Sequence, residues 1–181
     1  MRLENNVNKK SKKNLLIPIL IIITVIAIGV TVWALFFRDA EPTELTPDYA
    51  PQEEEQNAEK IPNDSDEKME NPEGGGSVSL TYSREVDIDL SDEKATLLFA
   101  NPGKSNQDMV LQIVIQDNVI VQSGTLKPGN QVTTLDLLDD AAEKLAAGTY
   151  EGNFNVLYYN QETGEKAIVN TEIPITITVK N

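Results

Sequence analysis

Four carboxylates fall within seven positions, Asp87, Asp89, Asp92 and Glu93, and oxygen ligands at that density are what a calcium ion takes. On a strand, residues of one parity share a face, so Asp87 and Asp89 stand on one side and Ile88 and Leu90 on the other. The stretch lacks the glycine and the regular ligand spacing of a calcium loop, and a solvated outer face accounts for the same acids. Asp136, Asp139 and Asp140 fit a strand end and a helix cap. Glycoside hydrolysis by paired carboxylates needs two acids across a cleft with their pKa values pushed apart. The chain has no histidine and no cysteine, which removes the commonest general base, proton shuttle, soft metal ligand and thiolate nucleophile together. No catalytic constellation and no cofactor are expected. The remaining contact chemistry is aromatic: Tyr82 ends a strand, and Tyr159 has outward parity beside inward Tyr158, so these two rings are the candidates for meeting a sugar or protein surface.

The elements that must position these groups divide the chain by charge. Residues 1–37 carry five basic side chains and one acidic, 38–76 three and thirteen, and 77–181 seven and fifteen, which together make the net charge of −14. A body of that sign repels phosphates and has no footprint for nucleic acid.

From Leu15 to Phe37 runs an uncharged apolar stretch of 23 residues. As a helix it would rise about 34 Å, enough to span a bilayer with some tilt. A cleaved signal peptide has an apolar core of about 7 to 15 residues and a small-x-small site; this run is longer, and the Ala34–Ala40 stretch offers no such site. Arg2, Lys9, Lys10, Lys12 and Lys13 precede it, while Arg38 is followed at once by Asp39 and Glu41. The positive-inside rule therefore places tail 1–14 in the cytoplasm and all that follows residue 37 outside, with Trp33, Phe36 and Phe37 at the outer interface. The expectation is a single-pass signal anchor in a cell membrane, and the basic tail with a cysteine-free exterior fits a Gram-positive envelope.

Residues 38–76 hold five prolines, the Glu53–Glu55 run and a closing Gly74-Gly75-Gly76, with few large apolar side chains. Such a segment buries too little to offset its ordering entropy, and a disordered acidic linker is expected.

From Ser77 on, short alternating runs separated by turn residues predict an all-β domain over 77–181, a sandwich of seven or eight strands. Leu111, Ile113 and Ile115 should face the core, as should Tyr150, Phe154, Val156 and Tyr158, and Ile173, Ile175, Ile177 and Val179. Asp117-Asn118 reads as a hairpin turn. Pro174 cannot donate to a ladder, so its strand should be an edge or kink there. Further strands are expected at 78–82, 86–90, 96–100 and 131–137. In the one helical piece Asp140 and Glu143 would make a capping box and Gly148 a left-handed stop. Leu145-x-x-Gly148-x-Tyr150 has the spacing of a tyrosine corner, whose hydroxyl bonds upstream backbone.

Asn101-Pro102-Gly103, Leu126-Lys127-Pro128-Gly129 and Leu145-x-x-Gly148-x-Tyr150 together resemble bacterial immunoglobulin-like domains of the cell-adhesion-related, CARDB-like kind over about 77–181. The resemblance implies an immunoglobulin-like Greek-key sandwich in a surface setting and names no ligand. The expected function is protein–protein interaction or assembly at the cell envelope, with an envelope or surface protein as partner. The alternative is a carbohydrate-binding module for wall polymer, which needs exposed aromatic rings.

Overall fold

The computed structural model describes residues 18–27, 46–65, 67–71, 73 and 75–181, and the chain divides into two units, Met1–Thr43 and Glu44–Asn181. In the first, helix α1 covers residues 18–27, and Thr24 Oγ1 donates back to the Leu20 carbonyl at 2.9 Å. Ten residues of helix rise about 15 Å. Among the described residues no helix is long and apolar enough to cross a membrane; the rest of the 15–37 stretch and the basic tail lie outside the described residues.

The second unit is built on strands β1 (Glu59–Lys60), β2 (Thr81–Tyr82), β3 (Glu85–Asp89), β4 (Lys94–Asn101), β5 (Gln107–Ile115), β6 (Asn118–Gln122), β7 (Asn130–Asp136), β8 (Gly148–Asn160) and β9 (Thr171–Lys180), with a single helical turn, α2 (Ala141–Lys144). They form one hydrogen-bonded path, β1-β7-β4-β3-β9-β8-β5-β6, with β2 also beside β4. The β3–β9 pair is parallel. Strands β4 and β8 are three steps apart on this path, which in a flat sheet means about 14 Å. Yet Phe99 of β4 and Phe154 of β8 meet edge to face with centroids 5.9 Å apart and planes at 72°. The sheet therefore curls until its halves face each other, and Ile88, Phe99, Leu111, Ile113, Val132, Phe154, Ile175 and Ile177 fill the space between.

The expected all-β class holds, and the alternation is as read. Leu111, Ile113, Ile115, Phe154, Val156, Tyr158, Ile173, Ile175, Ile177 and Val179 are all buried, and Tyr150 packs against the core half-buried. Its hydroxyl donates to the Ala146 carbonyl at 2.9 Å, the bond a tyrosine corner requires. Three local readings shift. The β5–β6 turn is Gln116-Asp117, with φ of 49° and 63° and Ile115 opposite Asn118; two consecutive positive φ values are what a two-residue hairpin needs to match strand twist, and they fall one position earlier than expected. Asp140 precedes α2 in the left-handed region with no side-chain cap bond, so the capping box with Glu143 does not form. Gly148 opens β8 instead of stopping the helix, which ends at extended Leu145.

The stretch expected to be a free linker includes described residues that pair with the sheet. Residues 46–65 lie along the sheet, where β1 pairs with β7 and Tyr49 and Glu54 make single bridges to Glu165 and Thr125. Composition alone predicted too little burial; backbone pairing supplies the missing stabilisation, because an extended strand needs an edge partner and not a core of its own.

Replacing Phe154 with Ala should cost about 3 to 5 kcal/mol, and Asn153 with Ala under about 1. Urea unfolding midpoints compare the two; equal losses would contradict the placement of Phe154 against Phe99.

Candidate functional site

Tyr159 has the outward parity expected of it, and it is fully buried. With Val110 and Leu157 it forms a small apolar cluster on the outer face of β5 and β8, covered by Ala50. The covering chain, residues 46–61, is a strap. The Tyr159 hydroxyl donates to the Pro47 carbonyl at 3.1 Å, and Ala50 N–H donates to Gly164 O at 2.8 Å. Thr125 grips the strap twice, N–H to Glu53 O at 3.0 Å and Oγ1 to Pro51 O at 2.8 Å. The Glu55 carboxylate accepts from Gly124 N–H at 2.7 Å and from Asn57 N–H at 2.8 Å, so one acid of the glutamate run is structural. Glu54 pairs with Lys127 at 2.5 Å, which raises the ammonium pKa above its usual value through that hydrogen bond. A Cβ on Gly124 would meet Glu55 N at 2.8 Å; only glycine lets the strap approach this closely. Tyr82 is half-buried against the core. Neither candidate ring is thus a free aromatic face, and the carbohydrate reading loses both.

The four clustered acids go to separate local tasks. Asp87 pairs with Lys180 at 2.6 Å. Asp89 Oδ1 accepts from Ser91 Oγ at 2.6 Å, from Ser91 N–H at 2.9 Å and from Asp92 N–H at 3.3 Å. The Ser91 hydrogen bonds, hydroxyl first, pull its pKa below the usual carboxylate value. Asp92 is exposed, and Glu93 takes a φ of 53° while its carbonyl accepts from Leu137 N–H. Among the described residues no group of three or more acids is arranged to hold a metal ion. Asp136 lies opposite Lys94 at 3.8 Å.

The two turn motifs hold each other. Asn101 Nδ2 donates to the Leu126 carbonyl at 2.9 Å and to the Gln107 carbonyl at 3.0 Å, and Gly129 N–H, at φ 82°, donates to Asn101 O at 2.7 Å. Nearby Asp108 is largely buried, and burial pushes its carboxyl above the ordinary range against the pull of the Gln161 amide.

What the sequence reading missed is an open groove of about 740 Å³ at the end of the body where the strap joins, lined by Val78, Gln107, Tyr158, Ala167, Val169 and Thr171 among others. Its signal was the Ala167-Ile168-Val169 run, apolar like a strand but placed in the loop between β8 and β9. Beside the groove β9 is half open. It is paired with β3 from Thr176 to Lys180, and among the described residues no strand flanks Thr171–Ile175 on that side. Thr176 N–H donates to Arg84 O, so even-numbered residues point their polar groups this way, leaving the Glu172 N–H and the Glu172 and Pro174 carbonyls facing the open side. Pro174 sits, as expected, where the strand is locally an edge.

No family model matches the chain, and no curated protein does; the immunoglobulin-like resemblance has no family match behind it. Among solved structures, AggA, the major subunit of aggregative adherence fimbriae type I from Escherichia coli, is similar over 62% of this chain and 99% of its own, at 10% identity and a TM-score of 0.32. Likeness at that level carries no argument about a ligand.

Replacing Gly124 with Val should displace the strap and raise cleavage after Glu53, Glu54 or Glu55 about tenfold, the ratio set by about 1.4 kcal/mol of lost docking; timed digestion with a glutamate-specific protease reads it. A second outcome concerns pH. A carboxyl whose pKa is higher folded than unfolded adds stability that is complete below the unfolded value, near 3.8 for Asp108, and lost as pH rises through the folded value. Asp108→Asn should therefore gain on the parent at pH 7 and lose that gain in acid, as measured by urea midpoints across pH.

Proposed function

We propose that the chain is a non-enzymatic β module held at the cell membrane by residues 15–37, with its body outside the cytoplasm, and that it works by protein–protein contact in an envelope assembly. The observation that carries the contact reading is the half-open strand β9. An edge with free backbone groups, next to an apolar groove, is a template for an added extended segment. A charged side chain on the edge, such as Glu172, and a proline two residues on blunt it against indiscriminate pairing. The apolar run from Leu15 to Phe37 and the basic residues before it support the anchored, outward-facing placement, and the absence of histidine and cysteine supports a binding role over a catalytic one.

A photo-crosslinking amino acid at Glu172, in intact cells, should capture protein, and the same residue at Glu143 at the other end of the body should not. Equal capture at both positions, or none at Glu172, would remove the edge from the proposal. Protease added to intact protoplasts should shed the folded body; full-length chain that survives this and is cut after lysis places the body inside.

A further inference from the structure

Among the described residues of the second unit, the large apolar side chains left exposed are Tyr49, Val78, Ile168 and Val169. Ile168 is 103% exposed and Val169 68%, values that no sheet-packing role explains. All four share one end of the body. Val78, Ile168 and Val169 line the same groove together with Glu165, and Tyr49 bridges to Glu165. Lys166 N–H donates to Asp48 O at 2.9 Å, so the strap joins the sheet at this end. Although acids stand at both ends, Asp48, Glu162 and Glu165 at this one, the other end carries none of these exposed apolar side chains. Its turns carry Asp92, Glu93, Asp117, Asp139, Asp140 and Glu143 against Lys144, and along β8, with 13 residues, the two ends stand about 40 Å apart.

Eight residues, 38–45, separate the apolar run ending at Phe37 from the first described residue of the strap. Fully extended, eight residues reach about 30 Å at most. If the run is in lipid, the exposed apolar end is held within that reach of the bilayer, whereas an end about 40 Å further along the body touches it only when the body tips onto its side. A short tether makes contact intramolecular, at an effective concentration on the order of millimolar, so a weak apolar contact is enough. Patches of exposed aliphatic and aromatic side chains mark protein or membrane contact, and tyrosine prefers the headgroup level.

We infer that the end bearing Tyr49, Val78, Ile168 and Val169 rests on the bilayer, with Ile168 and Val169 entering its interfacial layer and the opposite end turned away. This rests on the anchored reading above. The open edge of β9 then rises from the lipid surface along the side of the body, where a partner's segment can still reach it.

The chain has no cysteine, so single cysteines at Val25, Ile168 and Glu143 can each carry an environment-sensitive nitrobenzoxadiazole dye in the full chain. Reconstituted into phosphatidylcholine vesicles containing spin-labelled lipid, the dyes at 25 and 168 should be quenched and that at 143 should not. Replacing a third of the lipid by phosphatidylglycerol should leave the pattern unchanged, because the contact is apolar. Quenching at 25 without quenching at 168 overturns this inference and leaves the anchor standing. A dye at 168 that shifts to the blue without quenching means protein covers the patch, and also overturns it. No quenching at 25 defeats the anchored reading and this inference with it.

Discussion

Five residue pairs of parallel ladder, from Glu85 opposite Thr176 to Asp89 opposite Lys180, join the two halves of this sheet. β3 and β9 come from opposite ends of the folded chain, and their pairing closes the curl that brings Phe99 onto Phe154. A parallel pair cannot be made by a hairpin; it needs a long connection, and here the connection is nearly the whole body, β4 through β8. Ile88 and Ile177 are fully buried on these two strands, so the ladder and the core stand or fall together. The hydrogen bond from Thr176 N–H to Arg84 O marks one end of the pairing; beyond it residues 81–82 pair with β4, and among the described residues no strand flanks β9 on that side. The groove and the open edge are the consequence of two halves diverging from one seam.

The strap shows how a segment too polar to make a core can still be part of a fold. Between Tyr49 and Ile61 its attachments include backbone bonds, two grips by Thr125, the Glu55 carboxylate on Gly124 and the Glu54–Lys127 ion pair. Such bonds hold a strand that buries only a few small side chains, Ala50 and Ala58 among them, since what burial denies, pairing of otherwise unpaired edge groups supplies. In return the strap covers Val110, Leu157 and Tyr159, which without it would be an apolar patch on an outer sheet face.

Polar groups inside the body serve the same closure. Ser105 Oγ accepts from Ser79 N–H at 2.9 Å and donates to Ser79 O at 3.1 Å, Ser123 Oγ accepts from Leu111 N–H at 2.9 Å, and the Gln112 amide joins Gln122 and Asn155 across three strands. Buried hydrogen-bonding groups are costly when unmade, so each fixes a register that apolar packing alone would leave loose.

Period-two alternation was legible in the sequence because a strand with one face in the core writes its parity directly: Leu111-Ile113-Ile115 and Ile173-Ile175-Ile177-Val179 lie as read, and so does the tyrosine corner, whose Tyr150 bond to Ala146 spans four residues. Local chemistry also told of the Pro174 edge. Whether an outward residue stays in water was not legible, because that depends on chain far away in sequence. Tyr159 is buried by Pro47 and Ala50, 112 positions from its hydrogen-bond partner, and the acidic segment that reads as free linker is held by Gly124 and Thr125, about 70 positions on. The four acids of residues 87–93 read as one cluster but do not act as one, since Lys180 claims Asp87 from the end of another strand while Asp89 turns to Ser91 in its own loop. The Ala167-Ile168-Val169 run signalled unburied apolar chain, but the groove it lines was not legible, because its walls are made by where β3 stops pairing with β9, and a ladder's length is settled by how two distant strands curve past each other.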